Sequence, residues 1–348
     1  MEHRLGSILA LASAALFGIS LPAAKFLLGS VDPWLLAGLC YLGSGVGLAC
    51  VRLFRSRTFW NEAPVGRNDA PWLLGAILSG GVVGPLLLFW GLSRIDASSA
   101  SLLLVLEGVL TALVAGVFFH EHYHGRVVVG MGAITLGALV LSWPSGGIDY
   151  DPIGALAIVG ACLAWAIDNN LTRKVSIKDP IDIAMLKGLT AGAINVAIAF
   201  GQGSVLPDWA SVAGVAAVGF LGYGVSLVLF VLALRHIGAA RTGAYFSTAP
   251  FIGAAIALVL LHEPMTASLT LAGLLMGLGT WLHLTERHEH EHLHESLAHA
   301  HPHSHDAHHR HEHSKGDPVG ETHTHFHRHR PVRHSHPHFP DDHHLHQH

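Results

Sequence analysis

A chain of 348 residues with 51% hydrophobic side chains and only 13% Asp, Glu, Lys and Arg carries about half the charge of a soluble domain. A water-soluble fold of that composition would expose broad apolar patches and associate, which excludes an ordinary soluble enzyme or binding module. The formal net charge of −4 counts 30 histidines as neutral. It therefore moves with pH around a value of about 6.5 and points to no nucleic-acid partner.

Apolar runs recur along the chain at Leu5–Leu28, Pro33–Phe54, Pro71–Gly91, Asp96–Phe119 and Gly125–Trp143. A second set follows at Pro152–Arg173, Ile181–Gln202, Trp209–Leu234, Ala240–Leu261 and Ala267–Leu284. Each holds about 18 to 26 residues, enough as a helix to cross a hydrocarbon core of about 30 Å. Helix is the form required, because open strands would leave backbone groups unsatisfied in lipid. Short Pro-, Asp-, Gly- and Ser-containing links such as Ser30-Val31-Asp32-Pro33 and Lys178-Asp179-Pro180 separate the runs. The first run follows Met1-Glu2-His3-Arg4 but is too long for the apolar core of a signal peptide, so it reads as a retained helix.

Positive charge sets the expected orientation. With the N-terminus inside, twelve basic residues, from Arg4 through Arg52, Arg126 and Arg173 to Arg287, fall on the inner side, against Lys25 and Arg94 outside. Both termini are therefore expected in the cytoplasm of a cell with a bacterial-type inner (plasma) membrane. The chain also repeats itself. Trp90–Glu121 aligns without gaps to Leu232–Glu263, and Gly6–Lys25 aligns to Gly154–Arg173. Five helices per copy is an odd number, so the second copy must be inverted across the membrane. Such inverted repeats are frequent in secondary transporters, with the substrate near the midplane between the halves. The expected fold is an all-α membrane protein of ten transmembrane helices, arranged as two inverted five-helix repeats over residues 1–145 and 146–285, followed by a disordered His-rich cytoplasmic tail over 286–348.

The segment Ser247-Thr248-Ala249-Pro250-Phe251-Ile252-Gly253, leading to Leu260-Leu261-His262-Glu263-Pro264, resembles the ninth helix of the drug/metabolite transporter superfamily, EamA type. The likeness covers roughly residues 5 to 284. Two departures stand out: Gly108 lies where the family usually has Pro, and His120 and His262 replace the usual Gly before Glu. Because glycine permits bending without forcing it, the kink of the fourth run is left open. The resemblance implies a proton- or exchange-coupled carrier of a small metabolite, exporter or exchanger, with no enzyme activity and no required cofactor. Its partners would be the lipid bilayer and a small-molecule substrate, with a homodimer left open.

Ionisable groups at membrane depth are costly and mark sites or pairs. Glu107 sits amid Leu103, Leu104, Val105 and Leu106 with no cation nearby in sequence. Desolvation disfavours its charged form, which suits a group that binds and releases a proton. A structural glutamate between helices is the competing reading. Asp168, Asn169 and Asn170 occupy the place of Ser20, Leu21 and Pro22 in the first copy, and Lys187 lies at similar depth. They form either a neutralising ion pair or a site for a polar substrate. Tyr245, Ser247 and Thr248 add uncharged hydrogen-bonding groups in the ninth run. Lys25 is expected to snorkel to the interface. Cys40, Cys50 and Cys162 match no disulfide or metal spacing and read as buried, inert thiols.

The last segment differs in kind: 23 of the 61 residues from His288 to His348 are histidine. Such a composition cannot bury enough apolar surface to fold, yet imidazole binds Zn, Ni and Co well. If the final helix continued, His288 with His292 and His290 with His294 would form chelating pairs on one face. His301, His303 and His305 continue the pattern as a flexible chelator. A metal-binding tail, a pH-sensitive electrostatic tail and inert drift are the alternatives. The cluster His120, Glu121, His122 and His124 lies at the inner mouth of the fourth run. It could hand metal between tail and pore, or be an ordinary polar helix end. A transition-metal exporter and a non-transporting membrane metal sensor or scaffold are thus the rival functions.

Overall fold

The structure is a computed structural model. It describes residues 2–54, 66, 69–119, 125–143, 151–172, 175, 179–285, 288–294, 298–303, 323–328 and 332–338. Residues 1–285 form one compact unit and 286–348 a second.

Among the described residues the first unit is all-helical. In chain order it contains α1 (Glu2–Leu27), α2 (Pro33–Phe54), α3 (Ala70–Ala76), α4 (Gly84–Leu92), α5 (Ala97–Leu103), α6 (Leu106–Phe119) and α7 (Gly125–Ser142). It continues with α8 (Pro152–Thr172), α9 (Pro180–Gly201), α10 (Trp209–Gly219), α11 (Ser226–Phe246), α12 (Ala249–Leu260) and α13 (Ala267–Leu284). A π-helical segment, Ile77–Val83, joins α3 to α4, and another, Phe220–Val225, joins α10 to α11. Among the described residues, eight helical spans are long and apolar enough to cross a membrane, and Ala249–Leu260 and Ala267–Leu282 are shorter apolar helices. Large side chains such as Phe26, Leu53 and Trp209 face outward, as expected where the surrounding medium is lipid.

Helix starts follow from local chemistry. Asp32-Pro33, Asp151-Pro152 and Asp179-Pro180 each place a carboxylate before a proline in the first turn. Their side chains accept from Trp34 N (3.0 Å), Ile153 N (2.9 Å) and Ile181 N (2.9 Å). Proline there lacks only an N–H that the helix end would leave unpaired.

Packing relies on small residues. α2 and α9 cross so closely that a Cβ on Gly188 would lie 2.7 Å from the Gly45 Cα. α1 packs on α11 and α12, α8 packs on α4 and α6, and α7 pairs with α13. Close backbone approach replaces the hydrophobic effect as the source of helix association in lipid.

Four features add to the sequence expectation or differ from it. The fourth run breaks at Leu104–Val105, ahead of Gly108, whose surroundings are open. The eighth and ninth runs are joined by continuous helix through Phe246, and the interruption falls at Ser247–Thr248. There the Thr248 Oγ1 donates to Tyr245 O at 2.6 Å, satisfying a carbonyl that the ended helix frees. Cys50 is exposed at the bundle surface, whereas Cys40 and Cys162 are buried. Lys25 is tied down: its ammonium donates to Leu92 O and Ile95 O at 2.6 and 2.7 Å, in the turn that follows α4, where carbonyls are left without helical donors.

In the second unit the described segments are extended and antiparallel. His288–His294 pairs with Val332–His338, and Ala298–His303 pairs with His323–Arg328. The sequence expectation was a disordered tail, with a prolonged final helix as a conditional alternative. Alternating His-x-His sequence has the period of two that suits extended backbone.

Candidate functional site

The polar groups singled out in α6, α8 and α9 come together. Lys187 donates from Nζ to both oxygens of Asp168 at 2.6 Å, with side-chain exposures of 17% and 8%. Thr172 Oγ1, one turn on, donates to Asp168 Oδ1 at 2.8 Å. This is a two-point ion pair with an added hydrogen bond, the form in which a buried carboxylate is tolerated.

Glu107 lies in the first turn of α6, just past the break at Leu104–Val105. Asn169 Nδ2 donates to Glu107 Oε1 at 2.9 Å and lies 3.3 Å from Thr111 Oγ1. Asn170 Nδ2 donates to Ala166 O at 2.8 Å and to Thr111 O at 3.2 Å, so the two asparagines tie α8 to α6. Asp168 and Asn170 are buried, Glu107 is half-buried and Asn169 is exposed. The accessible edge of the group is therefore the Glu107–Asn169 pair.

Beside it lies the first π segment. Gly84 N bonds to Ser79 O and so bypasses Gly80 O. Pro85 has no N–H to offer in its place. The orphaned Gly80 carbonyl instead accepts from Tyr41 OH and Trp165 Nε1, both at 2.9 Å. Gly81 O accepts from Asn195 Nδ2 at 2.9 Å. A Cβ at Gly80 would overlap the Asp168 carboxylate, so only glycine lets the ion pair lie against the backbone. Sequence reasoning missed Tyr41, Trp165 and Asn195. The signal available was Gly80-Gly81 followed by Gly84-Pro85 inside an apolar run.

An aromatic row leads from this point to the other interruption. The Tyr41 ring lies 5.7 Å from Tyr223, Tyr223 lies 5.9 Å from Phe17, and Phe17 lies 5.5 Å from Phe246. Phe246 closes α11, beside Ser247 and Thr248. Tyr245 accepts from Ser7 Oγ at 3.4 Å, and Thr248 folds back on Tyr245 O, so these two serve α1 and the end of α11 rather than Glu107. Near this break, a small cavity is lined by Phe17, Gly18, Leu21, Ser101, Leu104, Ala249 and Pro250. The buried Ser101 Oγ has no hydrogen-bond partner there.

Outside the spans, the Arg94 guanidinium, 2.7 Å from Asp151, holds that carboxyl below its ordinary range. Ser211 does the same for Asp208. Among the described residues, no three His, Cys, Asp or Glu side chains converge as a metal site would require. His120, Glu121, His122, His124 and His305 lie outside the described residues, as do the side chains of His288, His290, His292, His294, His301 and His303.

The group thus sets polar and charged atoms within apolar spans and, among the described residues, offers one carboxylate without an ion pair, Glu107. Comparison with known proteins gives it a context. The family model described as the EamA-like transporter family matches residues 4–143 and again 152–285. A protein of Methanothermobacter thermautotrophicus, named only as an uncharacterized transporter, is 28% identical over 301 residues, covering 81% of this chain and 87% of that one. The uncharacterized transporter YvbV of Bacillus subtilis is 26% identical over 276 residues, covering 75% and 85%. One solved crystal structure, described only as that of a protein, superposes with a TM-score of 0.58 at 18% identity, covering 80% of this chain and 95% of that one. That last likeness concerns the fold alone.

Proposed function

The chain belongs to the EamA-like transporter family, and from this premise we propose that it is a secondary carrier of a small metabolite, exporting or exchanging it, with Glu107 as the coupling carboxylate. Membership makes it a multi-pass membrane transporter that works in a lipid bilayer on a small-molecule substrate. The observation that carries the finer reading is the Glu107–Asn169 edge beside the neutralised Asp168–Lys187 pair. Asp168 and Lys187 cancel, which leaves Glu107 to be neutralised by whatever it binds.

The architecture we propose is ten helices in two inverted repeats, 1–145 and 146–285. The family model matching twice supports it. So do the paired π segments: Gly84 N bonds Ser79 O in one, and Ser226 N bonds Leu221 O in the other, 142 residues on. Single-turn π segments inside helices are found frequently at functional sites. The surplus of inner Lys and Arg supports an inner-membrane location with both termini cytoplasmic. The His-rich tail over 286–348 supports a metal-responsive role for Zn, Ni or Co, and a homodimer is compatible with the exposed helix faces.

The test is transport. Everted vesicles carrying the protein, energised with a pH gradient, are incubated with a metabolite extract, and the accumulated compounds are identified by mass spectrometry. At least one small metabolite accumulates with the wild type, and Glu107→Gln abolishes the pH dependence. Identical accumulation in vesicles without the protein would end the reading. Binding of Ni or Zn to the full chain and to a chain ending at Glu286, measured by calorimetry, tests the tail; equal binding by both contradicts it.

A further inference from the structure

The turn between α4 and α5 is held in an unusual way. Lys25, near the end of α1, donates to Leu92 O and Ile95 O at 2.6 and 2.7 Å. Glu263, in the link between α12 and α13, accepts from Ala97 N at 2.7 Å and Ser98 N at 2.8 Å. Helix ends leave carbonyls and amides without partners. Here two side chains from distant parts of the chain satisfy the end of α4 and the start of α5 together. Asp96, in the same turn, lies within electrostatic reach of Lys25, as does Glu263. His262, immediately before Glu263, has a φ of +54°, a left-handed conformation that a non-glycine residue adopts at a cost of about 1–3 kcal/mol. The strain is held at the residue that aims the carboxylate.

What this turn controls is α5. It has only seven residues, from Ala97 to Leu103, and ends at the break before α6. It carries Ser101, whose buried hydroxyl has no hydrogen-bond partner among the described residues and lines the small cavity between α1 and α12. A short helical piece fixed at one end by two side chains and jointed at the other is free to tilt once the fixing contacts part. The repeat places basic and acidic residues at the corresponding positions of the other copy. Lys25 aligns with Arg173, Glu263 with Glu121, Leu92 with Leu234 and Ile95 with Ile237.

We propose that Lys25 and Glu263 form an interlock that keeps α5 closed over the cavity at Ser101, and that its release opens this end of the bundle. Both are positioning residues: they act on the α4–α5 turn, not on a ligand. The proposal rests on the transporter reading, but its test needs no substrate, so failure of one is visible separately from failure of the other.

The probe is a maleimide reacting with Ser101→Cys in the purified full-length protein in detergent. The same chain without that substitution reports the contribution of Cys40, Cys50 and Cys162. Lys25→Met and Glu263→Ala each accelerate labelling at position 101 about tenfold, which corresponds to about 1.4 kcal/mol on the open–closed equilibrium. Lys25→Arg, which can still reach both carbonyls, stays slow. Unchanged rates in both variants overturn the proposal, and so does equal acceleration at the buried Cys40 and Cys162, which would show general loosening. Where a variant does not purify as a single species, hydrogen exchange of the unsubstituted protein decides. The interlock requires the amides of Ala97 and Ser98 to exchange slowly and together with residues 99–103. Fast exchange independent of α5 overturns it.

Discussion

The surroundings of the two π segments make an instructive pair. At the first, Gly80 is pressed by the Asp168 carboxylate, and Lys187, Asn169 and Glu107 lie close by. At the second, Gly222 is pressed by Ser20, a small neutral residue, with Tyr223 and Phe17 in edge contact nearby. The backbone device is the same in both, down to the hydrogen bond that skips a residue. The chemistry differs. In the proposed repeat, Asp168 stands opposite Ser20, Asn169 opposite Leu21 and Glu107 opposite Ala249. A duplicated scaffold can thus keep a π segment in both copies while gathering charge from both copies around one of those segments alone. Since each buried charge is expensive, a single charged site asks less of the fold than two.

The comparison can be broken most severely at the ion pair. Lys187→Met leaves the Asp168 carboxylate buried with Thr172 as its remaining donor, and the expected loss is about 3–5 kcal/mol. Thermal unfolding in detergent measures it, and adding Asp168→Asn restores most of the loss. Ser20→Ala in the other half shifts the same transition little. An equal effect of the two changes would remove the asymmetry. Next in size are the glycines. Gly80→Ala drives a Cβ into Asp168, and Gly222→Ala drives one into the Cβ of Ser20. Each should cost about 1–3 kcal/mol by overpacking. Ser20→Gly relieves the second clash, whereas no change at position 20 relieves the first.

The apolar runs, and most of their ends, were legible in the chain because length and hydropathy suffice to mark a membrane span. The Asp168–Lys187 pairing was legible as one of two alternatives, since two opposite charges at one depth have few other partners. The link between Asn169 and Glu107 was not, because it depends on which faces of α6 and α8 meet, and that is set by helix rotation. Tyr41, Trp165 and Asn195 were hidden for a related reason. Each is an ordinary residue of an apolar run until a skipped hydrogen bond and Pro85 leave the carbonyls of Gly80 and Gly81 needing donors. The continuous helix Ser226–Phe246 was missed because Arg235 and His236 interrupt the apolar pattern between the eighth and ninth runs.

Two smaller effects sharpen the same contrast. Asn195→Leu deletes the donor to Gly81 O, and intramembrane hydrogen bonds of this kind contribute about 0.6 kcal/mol. A shift in unfolding of a few degrees or less is expected. At the bundle end, the Asp151 carboxyl is held low by Arg94, so its folded-state pKa lies below the unfolded value. That contribution to stability is present above the ordinary carboxylate range and fades as pH falls through the lowered value. Asp151→Asn therefore lowers the melting temperature slightly at pH 7, and the difference from wild type closes as the pH is brought into the acid range. A difference that grows on acidification contradicts the assignment.

The most direct test concerns Glu107 itself. Proteoliposomes loaded with a pH-sensitive dye and given a pH gradient are mixed with the metabolite fraction that accumulates in the vesicle assay. Wild-type protein is expected to dissipate the gradient when the fraction is added, and Glu107→Gln, folded and with Asp168–Lys187 intact, is not. Dissipation at the wild-type rate by Glu107→Gln would contradict the assignment of that carboxylate as the coupling group.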